Sequence, residues 1–596
     1  MPRDPEIVEI DIAEVQELLA RTKDRLPPED YDKWHSLVET ILTLMKLVRE
    51  RGTTIARLRR LFGLASSEKT ADVLEKIGRR ETAADAKPDA EGSTPPEGEK
   101  PLADAEIAGA DKKAKRKGHG RDPFSVYPDA CPIAVLHETL RPGDECPACG
   151  RGTLFELKEP ARLLRIVGQP PLVSVCWNCQ RLRCSGCGAV FTARTPNEAQ
   201  GPKHSETAAA MMAYLRYGGG MPHNRLEHLQ RYLATPMPAS TQWDVVSERV
   251  GAPALVYREL LRLGAQGVVV HSDDTYMRIL AFMGKRRLQL LRRGALPAPE
   301  RTGLFTTAVV SIVDGRALAL FFTGRKHAGE NLAEVLRQRA ADLEPPILMS
   351  DALDRNVPKG HKVFESNCAS HARRRIVDQA ENFPTECGYL LETFGKVFKI
   401  DELCRTLRLS DDERLRKHQE ESGPVMAEIK KWMEDQFQEK RVEPNSGLGE
   451  AFRYMLDRWD KFTLFLKLPG APLHNNIAER ALKLAIRHRS NSLFYRSERG
   501  AHIGDIYMTL IHTAELHGEN PFQYLTELMR HEKAVAEDPA AWLPWDYRDT
   551  LTRLLRDVPR TQDGRPRLPA TAAADAPSDV RCWTALSDAT RAAVTG

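Results

Sequence analysis

Three acidic residues stand where carboxylates could hold metal ions for phosphodiester chemistry. Asp273 and Asp351 each follow an apolar stretch, and Glu479 follows two asparagines, either of which could cap a helix. Cleavage by two metal ions needs rigidly held oxygen ligands that leave room for phosphate and water. An unpaired carboxylate beside an apolar core is costly, although aspartates at strand ends often only begin turns. The pattern therefore indicates a candidate metal site.

The elements around these carboxylates follow the order of a ribonuclease H-like α/β core. The apolar patterns predict three strands, a helix and a fourth strand: Val268–Val270, Phe305–Val313, Ala317–Phe322, Ala328–Ala341 and Ile347–Met349. Asp273 and Asp351 then lie at the ends of the first and fourth strands. We expect both to meet Glu479 on a helix that begins near Asn476. Basic side chains such as Arg480, Lys483 and Arg487 should line the approach, where phosphates must pass.

Six of the 11 cysteines form three Cys-x-x-Cys pairs. Two pairs are followed by glycine, which permits the turn that aims backbone N–H groups at sulfur. These two pairs predict a zinc ribbon with four ligands: Cys146, Cys149, Cys184 and Cys187. Reduced cysteine without metal is the alternative. The third pair, Cys176 and Cys179, lacks the glycine and lies in an alternating stretch that predicts a strand.

Two segments come before the cysteines: a helical arm and a polar linker. Apolar residues recur from Leu37 to Phe62 with the spacing of a coiled-coil seam, which favours a dimerising arm. An amphipathic helix or a two-helix hairpin remains open. Residues 67–123 have few large apolar groups and are expected to be disordered. The basic run 112–121 within them either attracts phosphates or is a solvated linker.

Two further segments are predicted to be helical, one before the core and one within it. Between Ser205 and Leu263, one helix, a short turn and a second helix capped by Ser240 or Thr241 would form a helix-turn-helix. An ordinary helical hairpin fits equally well. Residues 373–465 are helical and charged, and they lie between the second aspartate and the glutamate. We expect them to form an insertion, because this gap exceeds what a ribonuclease H core needs.

Composition indicates a soluble chain of several domains. Its 596 residues exceed what one hydrophobic core usually serves. A hydrophobic fraction of 41% and a charged fraction of 29% argue against a disordered or membrane protein. No apolar run approaches the roughly 20 residues of a membrane span, and the first residues lack signal-peptide character, so we expect a cytoplasmic protein. A net charge of +4 does not by itself indicate nucleic acid.

Several short stretches occur together in one enzyme family. They are His271–Thr275, Ser350–Asp351, Asn367–Arg374, Asn475–Leu482, Arg487–Phe494 with Ser497–Glu498, and Asn520–Leu525. These stretches resemble the DDE transposases of the insertion-sequence-66 type over roughly residues 35–530. The predicted coiled-coil arm, the linker and the cysteine pairs also follow one another in the order found in that family. The Asn-Asn-x-x-Glu-Arg block is the most specific element.

The resemblance implies an activity and its site residues. It implies metal-dependent cleavage and transfer of DNA strands, with Mg²⁺ or Mn²⁺ on Asp273, Asp351 and Glu479. It also implies Zn²⁺ on the two glycine-flanked cysteine pairs. Cys368 and His371 match the family's Cys-x-x-His signature, to which the sequence assigns no role. The first and second aspartate motifs depart from the family pattern, so Asp274 is the alternative to Asp273.

The resemblance also implies partners. They are DNA, both as terminal inverted repeats and as target, further copies of the chain, and accessory proteins of the same element. No membrane partner is expected, and the protein should associate with the nucleoid. Two alternative functions remain: another ribonuclease H-fold nuclease, such as a resolvase, and a catalytically silent DNA-binding protein derived from a transposase.

The chain is accordingly predicted to be a multidomain α+β protein. Its segments are a coiled-coil or helical arm (1–66), a disordered linker (67–123), a zinc-ribbon domain (124–200), a helical DNA-binding domain (201–265), the first part of the ribonuclease H-like core (266–372), a helical insertion (373–465), the second part of the core with the glutamate (466–535) and a flexible tail (536–596).

Overall fold

The computed structural model describes residues 31, 137, 139–157, 170–196, 199–296 and 298–556. Apart from residue 31, the predicted N-terminal arm lies outside these residues, as do the predicted linker and the last forty residues of the predicted tail. The chain divides into two compact units, Pro88–Ser174 on the one hand and Met1–Lys87 with Val175–Gly596 on the other. In the described ranges, no helix is long and apolar enough to cross a membrane.

A five-stranded mixed sheet lies at the centre of the larger unit. The strands of this unit are β1 (Arg181–Arg183), β2 (Val190–Thr192), β3 (Val269–Tyr276), β4 (Phe305–Val313), β5 (Arg316–Gly324), β6 (Ile347–Ser350) and β7 (Phe364–Asn367). β1 and β2 form a separate hairpin, and the sheet has the order β5-β4-β3-β6-β7. β4 is antiparallel to β3 and β5, whereas β3, β6 and β7 run parallel.

The strands predicted around the carboxylates are present with changed bounds. β3 continues to Tyr276 because its last residues pair with the start of β4. Asp273 therefore lies within a strand, not at its end as expected, while Asp351 directly follows β6 as expected. β7 was not predicted, because the sequence Phe-Glu-Ser-Asn of Phe364–Asn367 has no apolar run.

Helices surround the sheet and account for most of the remaining described residues. They are α1 (Glu206–Ala213), α2 (His223–Tyr232), α3 (Ala239–Glu248), α4 (Gly251–Gly264), α5 (Gly284–Arg292), α6 (Ala328–Leu336), α7 (Ala369–Gln379), α8 (Pro384–Thr406), α9 (Asp411–Lys417), α10 (Gly423–Gln438), α11 (Gly447–Leu456), α12 (Trp459–Phe462), α13 (Asn476–Ser492), α14 (Glu498–Leu516), α15 (Pro521–Arg530), α16 (Glu532–Glu537) and α17 (Tyr547–Arg556).

Two sequence-based expectations about helices need correction. α3 begins at Ala239, directly after Pro238, and has no side-chain cap. Ser240 and Thr241 therefore lie in its first turn and do not cap it. Residues 536–556, expected to begin a flexible tail, contain helix and bury Trp542 and Tyr547 to 1% and 2% exposure. The aromatic residues supply packing that the alanine- and proline-rich composition obscured.

Side chains of α14 occupy the outer edge of β5. Three of them, four positions apart, accept hydrogen bonds from successive outward N–H groups of the strand: Asp505 from Thr323 at 2.7 Å, Thr509 from Phe321 at 3.1 Å and Thr513 from Ala319 at 3.2 Å. Four helical residues rise about 6 Å and two strand residues about 6.6 Å, so the two spacings match. α14 thus closes an edge that would otherwise be open to pairing with another chain.

Residues 373–465, the predicted helical insertion, share a hydrophobic core with the sheet. Buried side chains such as Leu390, Phe394 and Phe452 form one cluster with Val269 of β3 and Ile347 of β6. The insertion is therefore fixed against the same two strands that carry the aspartates.

Candidate active site

Asp273 and Asp351 lie near the same end of two neighbouring parallel strands, β3 and β6. The pairing of β3 with β6 ends at His271 opposite Met349. Asp351 directly follows β6, and Asp273 lies two positions beyond His271 in β3, so the two carboxylates come from the same end of neighbouring parallel strands. His271 and Thr275, two positions to either side of Asp273, both contact α13 or the residue before it. Since strand side chains alternate between faces, Asp273 faces α13 as well.

Asn475, the residue before α13, connects this helix to the sheet through hydrogen bonds. Its side-chain N–H donates to the carbonyl of Ser272 at 3.1 Å, and its side-chain oxygen lies 3.2 Å from Nδ1 of His271. Its backbone N–H donates to Sγ of Cys368 at 3.1 Å. The side chain is fully buried and does not cap the helix, contrary to one sequence-based expectation. These contacts hold the first turn of α13, with Glu479, over β3.

Glu479 lies against the Cys-x-x-His pair at the start of α7. Its Oε1 is 3.7 Å from Nδ1 of His371. Sγ of Cys368 lies within 4.8 Å of one ligand atom of each of these two side chains. Oε1 of Glu479 and Nδ1 of His371 are both buried without a hydrogen-bond partner among the described residues. A thiol, an imidazole and a carboxylate can together hold a borderline ion such as Zn²⁺. The sequence did not predict this juxtaposition.

The three predicted carboxylates are not drawn together as tightly as this cluster. Among the described residues, only the thiol, imidazole and carboxylate group brings three potential ligand atoms within 4.8 Å of one another. The charges of the three carboxylates nevertheless reach one another, since both Asp351 and Glu479 act on the titration of Asp273.

Local hydrogen bonds orient Asp351. Its Oδ1 accepts from the side-chain N–H of Asn356 at 2.6 Å and from the backbone N–H of Leu353 at 3.2 Å. The hydroxyl of Tyr454, from the helical insertion, donates to its backbone carbonyl at 2.9 Å. The side chain is thereby held through one oxygen.

Asp274 has partners of its own. Its Oδ2 lies 3.1 Å from Nδ1 of His327, its Oδ1 lies 3.4 Å from the Arg355 guanidinium, and its side chain is only 5% exposed. It also faces the side of the sheet opposite to Asp273. The geometry therefore favours Asp273 over Asp274 as the first metal ligand.

The electrostatic environment of Asp273 lacks compensating positive charge. Burial, followed by the charge of Asp351, raises the pKa of Asp273 to about 7, and a 2.8 Å hydrogen bond from the Asp274 N–H opposes this only in part. Burial also lowers the pKa of His271 to about 4, so this imidazole is neutral near pH 7. Buried carboxylates in such surroundings, together with the unpartnered Oε1 of Glu479, fit the binding of a divalent cation.

The raised pKa predicts that Asp273→Asn stabilises the metal-free protein at high pH. Because the folded-state pKa exceeds the usual 3.8, ionisation of Asp273 destabilises the fold as pH rises from about 4 to 7. Asparagine carries no charge, so in EDTA at pH 8 the variant should gain up to about 4 kcal/mol, and the gain should vanish below pH 4. Thermal unfolding at pH 4 and pH 8 measures this. Equal or lower stability of the variant at pH 8 would contradict it.

Each of the two glycine-flanked cysteine pairs forms a tight turn. In the smaller unit, the N–H of Gly150, with φ +60°, donates to the carbonyl of Cys146 at 2.8 Å. In the larger unit, the N–H of Gly188, with φ +74°, donates to the carbonyl of Cys184 at 3.0 Å. Backbone hydrogen bonds are the largest cause lowering the pKa of the thiols of Cys149 and Cys184. Both turns therefore favour thiolate, the form that binds zinc.

The third cysteine pair does not lie in a strand, so that prediction was wrong. β1 begins only at Arg181, after Cys179. Val173, Val175 and Trp177 are each about half exposed. The alternating pattern therefore does not correspond to a buried strand face.

Basic side chains line α13 beyond Glu479, though not all as predicted. Arg480 and Lys483 are exposed. Arg487, also expected to line the approach, donates to the carbonyl of Gly218 at 2.8 Å and so holds a neighbouring loop. The Arg489 guanidinium, not predicted, lies 3.9 Å from the centre of the exposed Tyr276 ring.

Comparison with known proteins adds a family and three relatives. The model of the Transposase IS66 family matches residues 203–503. The uncharacterized protein y4hP of Sinorhizobium fredii (strain NBRC 101917 / NGR234) is 30% identical over 196 residues, which are 30% of this chain and 35% of y4hP. The uncharacterized protein y4jD of the same strain is 27% identical over 187 residues, 30% of this chain and 35% of y4jD. A third, y4qI, is 25% identical over 186 residues, 31% of this chain and 34% of y4qI. The chain thus spans about a third of the length of the curated relatives it matches.

Proposed function

Because the chain belongs to the Transposase IS66 family, we propose that it is a DNA transposase that cleaves strands at the ends of an insertion sequence and transfers them to target DNA. The observation that carries this proposal is the placement of Asp273, Asp351 and Glu479 at one end of the sheet. Asp273 lies in β3, Asp351 directly follows the neighbouring parallel strand β6, and Glu479 is on a helix whose preceding residue, Asn475, is hydrogen-bonded to β3.

The topology supports a ribonuclease H-like catalytic core. Such a core has three antiparallel strands, a helix and then parallel strands on the other side of the first strand. The order β5-β4-β3-β6-β7, with α6 before β6, fits this description. The long helical segment between Asp351 and Glu479 is then an insertion into the core.

The proposed cofactor of this core is Mg²⁺ or Mn²⁺ held by Asp273, Asp351 and Glu479. Bound ions would activate the attacking oxygen and stabilise the leaving oxygen of the phosphodiester. The chain's own contribution is orientation: Asn356 holds Asp351, and Asn475 sets the helix of Glu479 against β3. Exposed basic residues on α13 would neutralise phosphates of the bound strand.

The experiment that tests this function is strand cleavage by the purified full-length chain. The substrate is end-labelled duplex DNA that carries the inverted repeats flanking the gene. We expect cuts at the repeat ends that require Mg²⁺ or Mn²⁺ and stop with EDTA. Binding to the ends without any cut would point to a catalytically silent binding protein instead. Cutting that does not depend on the repeats would point to another nuclease.

We further propose that the glycine-flanked cysteine pairs bind Zn²⁺, and we predict that Cys146→Ser and Cys187→Ser each lower the zinc content. The thiolate supplies most of the binding energy in such sites, and serine does not replace it. Elemental analysis of purified protein measures the change. Cys176→Ser is the matched control and should retain zinc. Loss of zinc in the control, with Cys146→Ser unaffected, would show that the pairs are wrongly assigned.

We also propose that the chain acts as a homo-oligomer, with accessory proteins of the same element as further partners. Transposition joins two element ends, which a single site serves poorly. The predicted seam Leu37–Phe62 would provide the contact between copies.

A further inference from the structure

The connection between β3 and β4, residues 277–304, concentrates positive charge. We call it the basic arm. It contains a single acidic residue, Glu300, and these basic ones: Arg278, Lys285, Arg286, Arg287, Arg292, Arg293 and Arg301. The whole chain is nearly balanced, with 87 basic and 83 acidic residues. The excess in the basic arm is therefore a local property.

The helix of the basic arm, α5, lies at the surface. None of its residues is buried, and Leu288 is 52% exposed. Lys285, Arg286, Arg292 and Arg293 are all exposed. Within the residues the structure describes, none of these four makes an ion pair, whereas Arg287 donates to the carbonyl of Pro299 and so braces the arm. Four cations thus remain available to an external anion.

The base of the basic arm, in contrast, is firmly held. The N–H of Met277 donates to the carbonyl of Leu304 at 2.8 Å, so the first and last residues of the arm are hydrogen-bonded to each other. Tyr495, which follows α13, makes two backbone hydrogen bonds to the start of the arm. Its N–H donates to the carbonyl of Arg278 at 2.8 Å, and its carbonyl accepts from the N–H of Leu280 at 2.9 Å. Ile279, between them, is fully buried. The basic arm is therefore anchored to the strand of one catalytic carboxylate and to the far end of the helix of another.

We propose that the basic arm binds the phosphate backbone of the DNA duplex within about two helical turns of the cleaved bond. Six positions lead from Asp273 to the buried anchor Ile279 and six more lead to Lys285, a total reach of at most about 40 Å. Two turns of duplex span about 68 Å. A surface of exposed cations with few packed apolar groups suits a polyanion better than a protein partner. The inference rests on the proposed function, since it names how that site holds its substrate.

The test compares two sets of substitutions with equal change in charge. The arm variant carries Lys285→Gln, Arg286→Gln, Arg292→Gln and Arg293→Gln. The control variant carries substitutions of four exposed cations on the helical insertion: Lys396→Gln, Lys399→Gln, Arg416→Gln and Lys431→Gln. Affinity for a fluorescent duplex of three helical turns and arbitrary sequence is measured in EDTA across a range of salt concentrations. Phosphate contacts act on any sequence, so no knowledge of the element ends is needed.

We expect the slope of log affinity against log salt to fall by about 2 to 4 in the arm variant, because each lost phosphate contact removes about 0.9. The control variant should keep the wild-type slope. Thermal unfolding should show both variants folded, since all eight side chains are exposed. Equal slopes for wild type and arm variant would overturn the inference. An unchanged slope with a lower mass in light scattering would instead assign the basic arm to contacts between copies.

Failure of the proposed function gives a different result. If the wild type cuts repeat ends and the arm variant binds DNA as tightly as the wild type, only the inference about the basic arm fails. If the wild type neither binds the duplex nor cuts repeat ends, the proposed function fails, and the inference fails with it.

Discussion

Asp273→Asn is expected to lower metal-dependent strand cleavage by at least about 1000-fold while DNA binding in EDTA stays within about threefold. The amide keeps the shape of the side chain but removes the charge that a divalent ion needs from its ligand. Glu479→Gln should have the same effect for the same reason. Cleavage of labelled element ends in Mg²⁺ and in Mn²⁺, with binding measured separately, gives both quantities.

Asp274→Asn is the matched control for this loss. Its side chain is paired with His327 and Arg355 on the other face of the sheet, so its removal should affect folding more than cleavage. If Asp274→Asn were inactive and Asp273→Asn cleaved normally, the first metal ligand would be Asp274, and the geometry described for Asp273 would have been misread.

Asn475→Ala is expected to reduce cleavage at least about 100-fold and to raise the Mn²⁺ concentration needed for half-maximal activity. The change removes the side-chain bonds to His271 and Ser272, so the first turn of α13 and its Glu479 lose their fixed position. Small displacements of a catalytic group cost about this much. The metal requirement separates misplacement of a ligand from a mere loss of folded protein.

Asn476→Ala supplies the comparison. Among the described residues, this neighbouring asparagine accepts a hydrogen bond only from the hydroxyl of Ser370, at 3.3 Å, and it is only half buried. We expect its cleavage rate to fall less than about tenfold, with an unchanged Mn²⁺ requirement. Equal losses in both variants would mean that Asn475 has no special part in placing Glu479.

The sequence predicted well what depends on local pattern. Strands β4 and β6 and helix α6 follow from continuous apolar runs and a 3.6-residue repeat, and the structure places them within a few residues of expectation. The same pattern placed Asp351 directly after a strand. β3 was predicted too short, because its polar end is held by pairing with β4 and not by its own hydrophobicity.

What the sequence could not predict depends on contacts between distant segments. Asn475 bonds to residues about two hundred positions earlier, and Tyr454 reaches the backbone of Asp351 from the insertion. Neither side chain has a local signature, although Asn475 lies in the Asn-Asn-x-x-Glu-Arg block and so could have been suspected. The charge of the basic arm was visible in the sequence, but its exposure and its anchor at Tyr495 were not.

The most direct measurement of the proposed metal site is cleavage of the protein backbone by Fe²⁺ bound in place of Mg²⁺. With ascorbate and peroxide, bound iron cuts the chain near its ligands, and mass spectrometry locates the cuts. Joint binding by Asp273, Asp351 and Glu479 predicts cuts in all three segments, suppressed together by excess Mg²⁺ and lost together in Asp273→Asn. Cuts at one segment only, or cuts near Glu479 that persist in Asp273→Asn, would contradict a shared metal site.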